Sequence, residues 1–166
     1  MKVIGLISDT HVPSRRKRIP DTVFQVFKDV DMIIHAGDFE ELSIVPALEN
    51  IAPLVAVRGN MCHQEVRDRF PEVRTVQVED LIIGVYHGSG GPDGYIERVA
   101  DKFKGVSPAP DIVICGHTHR AQGVSYRDTF FINPGSPTDR IFAPYNSIAI
   151  LQVEGREFSH EIIKTE

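Results

Sequence analysis

The sequence predicts an α/β protein built around a parallel sheet, on three observations. Short β-branched apolar runs alternate with amphipathic stretches over residues 1–60, those runs are near-continuous rather than alternating, and each ends on a cluster of Gly, Asp, Asn or His. Strand-helix-strand connections of this kind build parallel pairs, and a strand that is apolar on both sides needs cover on both sides.

Lys2-Val3-Ile4-Gly5-Leu6-Ile7 is a run of strand length that ends at Ser8-Asp9-Thr10-His11. After the basic run Arg15-Arg16-Lys17-Arg18 comes Ile19-Pro20-Asp21, where Pro near a first helical position followed by Val23, Phe24, Phe27 and Val30 predicts a helix lying on the sheet. Met32-Ile33-Ile34 is a second strand and ends at His35-Ala36-Gly37-Asp38. Ser43 is expected to cap a further helix, with Pro46 in the first turn, where the backbone donors lack intrahelical partners, and with Val45 and Leu48 facing inward. Leu54-Val55-Ala56-Val57 is the third strand and ends at Arg58-Gly59-Asn60.

In the middle of the chain, Val73, Val76 and Val78 are interleaved with polar residues. The pair Glu79-Asp80 separates them from Leu81-Ile82-Ile83-Gly84-Val85-Tyr86, which predicts two strands joined by a tight turn, the second ending at His87. Gly88-Ser89-Gly90-Gly91-Pro92 is a loop, and Ile96, Val99, Ala100 and Phe103 form a helical stripe. Asp111-Ile112-Val113-Ile114-Cys115 is a buried strand broken by Gly116, so that His117 and His119 leave one loop together. Gln122–Tyr126, Thr129–Ile132 and Ser147–Val153 are expected to close a second sheet, with His160 on a polar strand beyond it.

At 166 residues the chain is long enough for one domain with a sizeable core, so 1–166 is expected to form a single domain. Its 42% apolar and 25% charged content is that of a globular protein, and it has neither a bilayer-length apolar run nor a charged-then-apolar start; a cytoplasmic location without membrane contact is expected. Cys62 and Cys115 are the only cysteines, which argues against a disulfide framework. A net charge of −5 gives no overall attraction for nucleic acid, so a phosphate-bearing partner must be drawn by local charge.

The argument for chemistry is positional. In open α/β sheets ligands bind beyond the carboxyl ends of the strands, and Asp9, His11, Asp38, Asn60, His87, His117 and His119 all fall there. Two Asp, four His and one Asn are too many donors for one tetrahedral ion but suit two neighbouring divalent ions of the first transition row. Turn-making and capping would explain any one of these residues, but not the set.

Asp9-Thr10-His11, Gly37-Asp38, Gly59-Asn60, His87 and Gly116-His117-Thr118-His119 resemble, in order and spacing, the motif series of the calcineurin-like metallophosphoesterases. The compact length and the segment Asn133-Pro134-Gly135-Ser136-Pro137 look most like the small phosphodiesterase branch of bacteria and archaea. The resemblance implies a four-layer α-β-β-α sandwich of two mixed β-sheets flanked by helices. It implies that Asp9, His11, Asp38 and His119 hold one metal and Asp38, Asn60, His87 and His117 the other, with Asp38 as bridge and Asp38, Asn60 and His87 counted as catalytic. The implied reaction is hydrolysis of a small phosphodiester or phosphomonoester by a hydroxide bridging two divalent ions. Manganese is the expected metal, with iron, zinc, nickel and cobalt as alternatives.

Many relatives carry a His after the motif asparagine to assist the leaving group; here Met61 follows Asn60, and Met cannot donate a proton. His63 is the nearest substitute in sequence. Arg15 to Arg18 is either a solvated run or a means of attracting phosphate or a nucleic-acid backbone. His35, just before Gly37-Asp38, could orient a metal ligand from behind, but a satisfied buried histidine is the plainer account, and Asn133 with its turn shapes the substrate pocket by resemblance only. A retromer subunit shares this fold as a non-catalytic scaffold, and a nuclease is a second alternative. Oligomeric state stays open, a homo-oligomer included.

Overall fold

The three apolar runs of the first half pair in parallel in the computed structural model, which describes residues 1–165. Strands β1 (Lys2–Ile7), β2 (Met32–His35) and β3 (Leu54–Ala56) align so that Ile7 lies opposite His35 and His35 opposite Ala56, which brings their carboxyl ends to one edge. The crossovers are α1 (Asp21–Phe27), which starts directly after Pro20, and α2 (Val45–Glu49). Ser43 does not cap α2. It lies in a one-turn 3₁₀ segment, Leu42–Ile44, and makes no capping hydrogen bond; Pro46 does occupy the first turn, and Val45 and Leu48 are buried as expected.

A second sheet follows. A short helix α3 (Gln64–Arg69) with Val66 its one buried residue leads to the hairpin β4 (Val73–Val78) and β5 (Leu81–Tyr86), then α4 (Tyr95–Lys102), β6 (Ile112–Ile114), β7 (Gln122–Tyr126) and β8 (Thr129–Asn133). Helix α3 escapes pattern reading because it has no apolar stripe to follow. The strand at Ser147 departs from expectation. As β9 (Ser147–Glu154) it joins the first sheet, antiparallel to β1 with Gly5 opposite Ile150, and β10 (Glu157–Lys164) pairs with its outer side. Its alternation identifies a strand but not the edge that accepts it, and the parallel crossovers leave that side of β1 open. The result is two mixed five-stranded sheets, ordered β10-β9-β1-β2-β3 and β4-β5-β6-β8-β7.

Three apolar layers explain the unbroken runs. Ile4, Leu6, Ile34, Ile83, Val85, Ile112, Ile114, Leu151 and Val153 meet between the sheets. Ile7, Ile33 and Ile148 turn the other way, against Val23, Phe27 and Leu48, while Tyr86, Val113 and Cys115 pack under Val99 and Phe103. The four-layer α-β-β-α sandwich is therefore the observed fold. Helices sit close because each sheet gives way under an aromatic ring: a Cβ on Gly5 would lie 2.9 Å from the Phe27 ring, and one on Gly84 would lie 2.6 Å from Phe103. Truncating either fully packed ring to Ala would cost about 3–5 kcal/mol.

Candidate metal centre

Beyond the carboxyl ends of β1, β2, β3, β5 and β6 the backbone is bent sharply and tied to itself. The Asp9 N–H donates to the Gly37 carbonyl at 2.9 Å, that of His11 to Asp38 at 3.0 Å, and that of Gly116 to His87 at 3.0 Å. Asp9, His11, Asp38, His117 and His119 have φ of 53°, 41°, 59°, 71° and 59°, and Glu40 has 60°. Asp and His tolerate this left-handed region better than most residues, and strained backbone of this kind concentrates at functional sites. The glycines of the motifs have a steric cause: a Cβ on Gly59 would collide with the Asp38 carboxylate, and one on Gly116 would lie 2.7 Å from Asp9 Oδ2.

Five buried side chains converge between the sheets. His119 Nε2 lies 3.2 Å from Asp9 Oδ1, and His11 Nε2 is 3.8 Å from the same oxygen. On the other side His87 Nε2 is 3.1 Å from Asp38 Oδ2 and 3.7 Å from Asp9 Oδ1, and Asn60 Oδ1 approaches it at 3.1 Å. Two groups with metal-ligand spacing result, Asp9 with His11 and His119, and Asp9 with Asp38 and His87. Asp9 is common to both; Asp38 Oδ2 also spans them, lying 3.8 Å from His11 Nε2.

The far nitrogen of each ring is already engaged. His87 Nδ1–H donates to the Ala36 carbonyl at 2.7 Å, His11 Nδ1–H to Glu40 Oε1 at 3.1 Å, and His119 Nδ1–H to Asp139 Oδ2 at 2.6 Å. With Nδ1 as donor, neutral rings turn their Nε2 lone pairs inward, the arrangement a metal-binding histidine requires. The inward atoms are then nearly all acceptors: His11 and His119 face each other Nε2 to Nε2 at 3.2 Å, and His87 Nε2 faces two oxygens. Asp9 Oδ1 is buried without a hydrogen-bond donor. Converging acceptors around an orphaned carboxylate oxygen fit divalent cations, and the mixed nitrogen and oxygen set suits first-row transition ions.

Without a cation, the surrounding carboxylates favour the protonated form of two of these histidines. Burial disfavours the charged form of His119, but Asp9 and Asp139 outweigh it and raise its pKa to about 9. His87 is likewise raised by Asp9 and Asp38 against the effect of burial. Burial would raise Asp9, yet His87, His11 and His119 hold it well below the ordinary carboxylate range. Asp139 is kept down at about 2 because, against burial, His119 and the backbone N–H groups of Ile141 and Ala143 favour the anion.

Among the residues singled out in the sequence, Asp9, His11, Asp38, His87 and His119 meet directly, and Asn60 joins at the open side. His117 stands beside them with its Nε2 on the Gly90 carbonyl at 2.9 Å, its ring 5.3 Å from that of His87, and its backbone N–H on Asp9 Oδ2 at 3.0 Å. His35 is a satisfied buried histidine: Nδ1 accepts from the Gly37 N–H at 3.1 Å and Nε2–H donates to Thr10 Oγ1 at 3.0 Å. Asn133 shapes the histidine loop, donating to the Gly116 carbonyl and to Thr118 Oγ1, both at 3.0 Å. His63 turns outward, 3.9 Å from Glu41, and does not line the opening, whereas Met61 does. His160, in β10, packs on Phe130 of β8. Sequence reasoning missed Glu40 and Asp139. Glu40 lies two residues beyond Asp38, and Asp139 follows the turn at Asn133, but nothing in either spacing marks a carboxylate aimed at a histidine.

Residues 1–156 match the family profile described as the calcineurin-like phosphoesterase superfamily domain. The chain is 37% identical over 164 residues to a probable metallophosphoesterase of Methanothermobacter thermautotrophicus, covering 98% of this chain and 92% of that protein. It is 28% identical over 177 residues to a phosphodiesterase of Methanocaldococcus jannaschii, with 97% and 99% covered. Among solved structures, Vps29 of Chaetomium thermophilum superposes with a TM-score of 0.78 at 20% identity, covering 98% of this chain and 97% of the other, which is a likeness of fold.

Proposed function

Because the chain belongs to the calcineurin-like phosphoesterase superfamily, we propose that it is a metal-dependent phosphodiesterase, the whole of 1–166 acting as one domain. Two divalent cations, manganese first among the candidates, would be held by Asp9, His11, Asp38 and His119 and by Asp38, Asn60, His87 and His117, with Asp38 shared. The observation that carries the reading is the convergence of Nε2 atoms and carboxylate oxygens with no donor between them, around the orphaned Asp9 Oδ1. Such a pair of cations supplies Lewis acidity that brings water deprotonation to near-neutral pH and offsets phosphoryl charge.

The chain's own residues do the positioning. Glu40 and Asp139 fix the His11 and His119 rings with Nε2 inward, Ala36 does so for His87, and the Met61 N–H holds Asp38 Oδ1 at 2.7 Å so that Oδ2 faces the histidines. Arg15 and Phe142 stand at the opening, where they can meet the ester groups. The substrate is proposed to be a small phosphodiester or phosphomonoester. The known phosphodiesterase among the relatives supports the diester preference, and a cytoplasmic setting accords with helices among the described residues that are too short or too polar to cross a bilayer.

The likeness to Vps29 keeps a second reading in play, a non-catalytic scaffold of this fold. Metal analysis of the purified protein, beside hydrolysis of bis(4-nitrophenyl) phosphate with and without chelator, separates the two. The phosphodiesterase reading expects bound divalent metal and activity lost to chelation and restored by manganese. Protein that neither retains manganese nor turns over the ester would move the assignment to the scaffold.

A further inference from the structure

Next to the metal centre lies a cup of about 480 Å³ whose wall is basic. Arg15, Arg16, Lys17 and Arg18 line it together with Arg140, from much later in the chain; Asp21 is its acidic residue and is paired with Arg18 at 3.2 Å. Lys17 and Arg140 are exposed and have no ion-pair partner among the described residues. In a chain of net charge −5, cations from two distant segments are gathered on one concave wall. Such a wall focuses its field and holds an anion where a flat surface would not.

Arg15 ties this cup to the metal centre, because it lines both openings. Its guanidinium is held 3.8 Å from Asp139 Oδ1 and its Cζ lies 5.8 Å from the Phe142 ring, so it is fixed by the same loop that fixes His119. Arg15 thus stands on the shared rim of the two depressions, within reach of a group that extends from the metal centre on its side. Arginine forks match a phosphoryl group bidentately, and the volume accommodates one with its neighbouring atoms.

We propose that the cup binds a second phosphoryl group of the substrate, so that the preferred ester carries a further phosphate on the Arg15 side of the bond that is cleaved. This rests on the phosphoesterase reading above, and the second phosphate is either a terminal group of a small molecule or the next linkage of an oligonucleotide.

The test compares thymidine 5′-(4-nitrophenyl phosphate) with its 3′-phosphorylated counterpart, using the metal-loaded protein and the exposed double variant Lys17→Glu/Arg140→Glu. The expected result is a preference of about tenfold or more in kcat/KM for the 3′-phosphorylated ester, expressed in KM, weakened by salt and lost in the variant. Bis(4-nitrophenyl) phosphate, which has no second phosphate, is expected to be turned over equally by both proteins. An equal response of the unmodified protein to the two nucleotides, or a preference that survives charge reversal, overturns the proposal. If no ester is hydrolysed, the phosphoesterase reading has failed, and inorganic phosphate titrated into chelator-treated protein decides the cup alone: binding lost in the variant supports it, and no binding by the unmodified protein overturns it. Competition by an oligothymidylate lacking a terminal phosphate would identify the linkage, and its absence the terminal group.

Discussion

His119 Nδ1 and Asp139 Oδ2 are joined by a 2.6 Å hydrogen bond, and the same carboxylate accepts the backbone N–H groups of Ile141, Phe142 and Ala143 at 2.9, 3.0 and 2.9 Å. One anion thus orients an inward-facing imidazole and holds the loop that carries Phe142 to the opening. Kept at about 2, its pKa leaves it charged throughout any ordinary assay.

Asp139→Asn is therefore expected to weaken metal binding about 10–100-fold, the usual effect of losing a carboxylate behind a ligating histidine. Calorimetric titration of manganese into chelator-treated protein measures it, and excess metal should restore much of the activity. Unchanged affinity would show that Asp139 serves the loop alone.

Asp38→Asn retains an oxygen for the Met61 N–H and a residue type that tolerates the φ of 59°, and it removes the charge that faces His87 and His11. Turnover of bis(4-nitrophenyl) phosphate is expected to fall at least about 10²–10³-fold with the melting temperature of the metal-free protein little changed. Bound metal measured by plasma mass spectrometry should fall with it. A variant with near-native turnover and full metal content would exclude Asp38 as the shared ligand.

The strand-end rule made the site legible before any coordinate: the parallel run of β1, β2 and β3 had to bring Asp9, Asp38 and Asn60 to one edge, and β5 and β6 brought His87 and His119 to face them. Local pattern could not reveal the partner of β9, since pairing with β1 is a contact between residues such as Gly5 and Ile150 at opposite ends of the chain. The same limit hid Glu40 and Asp139, whose roles depend on rings supplied by His11 and His119. The short α3 was invisible for a different reason, having Val66 alone to bury.

His35 is held neutral: burial, the largest influence, and the nearby charge of His87 lower its pKa to about 3 although Asp9 and Asp38 oppose them. The unfolded chain, with an ordinary pKa near 6.5, binds more protons than the folded one between those values, so stability is fully present above about 6.5 and is lost as pH falls toward 3. The expected slope from this group is up to about 1.4 kcal/mol per pH unit. Urea unfolding of chelator-treated protein at several pH values measures it, and His35→Gln, which keeps a donor and an acceptor, should flatten the dependence between pH 6.5 and 4. A variant with the same acid sensitivity as the parent would assign that sensitivity to other groups.

Met61 bears on the leaving group. It is 55% exposed at the mouth of the centre, and His63, the one nearby substitute donor in sequence, faces outward toward Glu41. A departing alkoxide then has no side-chain acid at this position, whereas a nitrophenolate leaves unprotonated, so rate should depend steeply on leaving-group pKa and aryl esters should be favoured. The deficit on poor leaving groups is expected to be about 10²–10⁴-fold, the typical contribution of one general acid. Met61→His should flatten the dependence by supplying a donor on the same rim, and His63→Ala should change neither ester class. A series of phenyl and alkyl phosphodiesters of graded leaving-group pKa, assayed where chemistry limits the rate, measures all three proteins. If His63→Ala slows alkyl esters far more than aryl esters, His63 reaches the substrate after all; a flat dependence in the unmodified protein would mean that another group on the rim donates the proton.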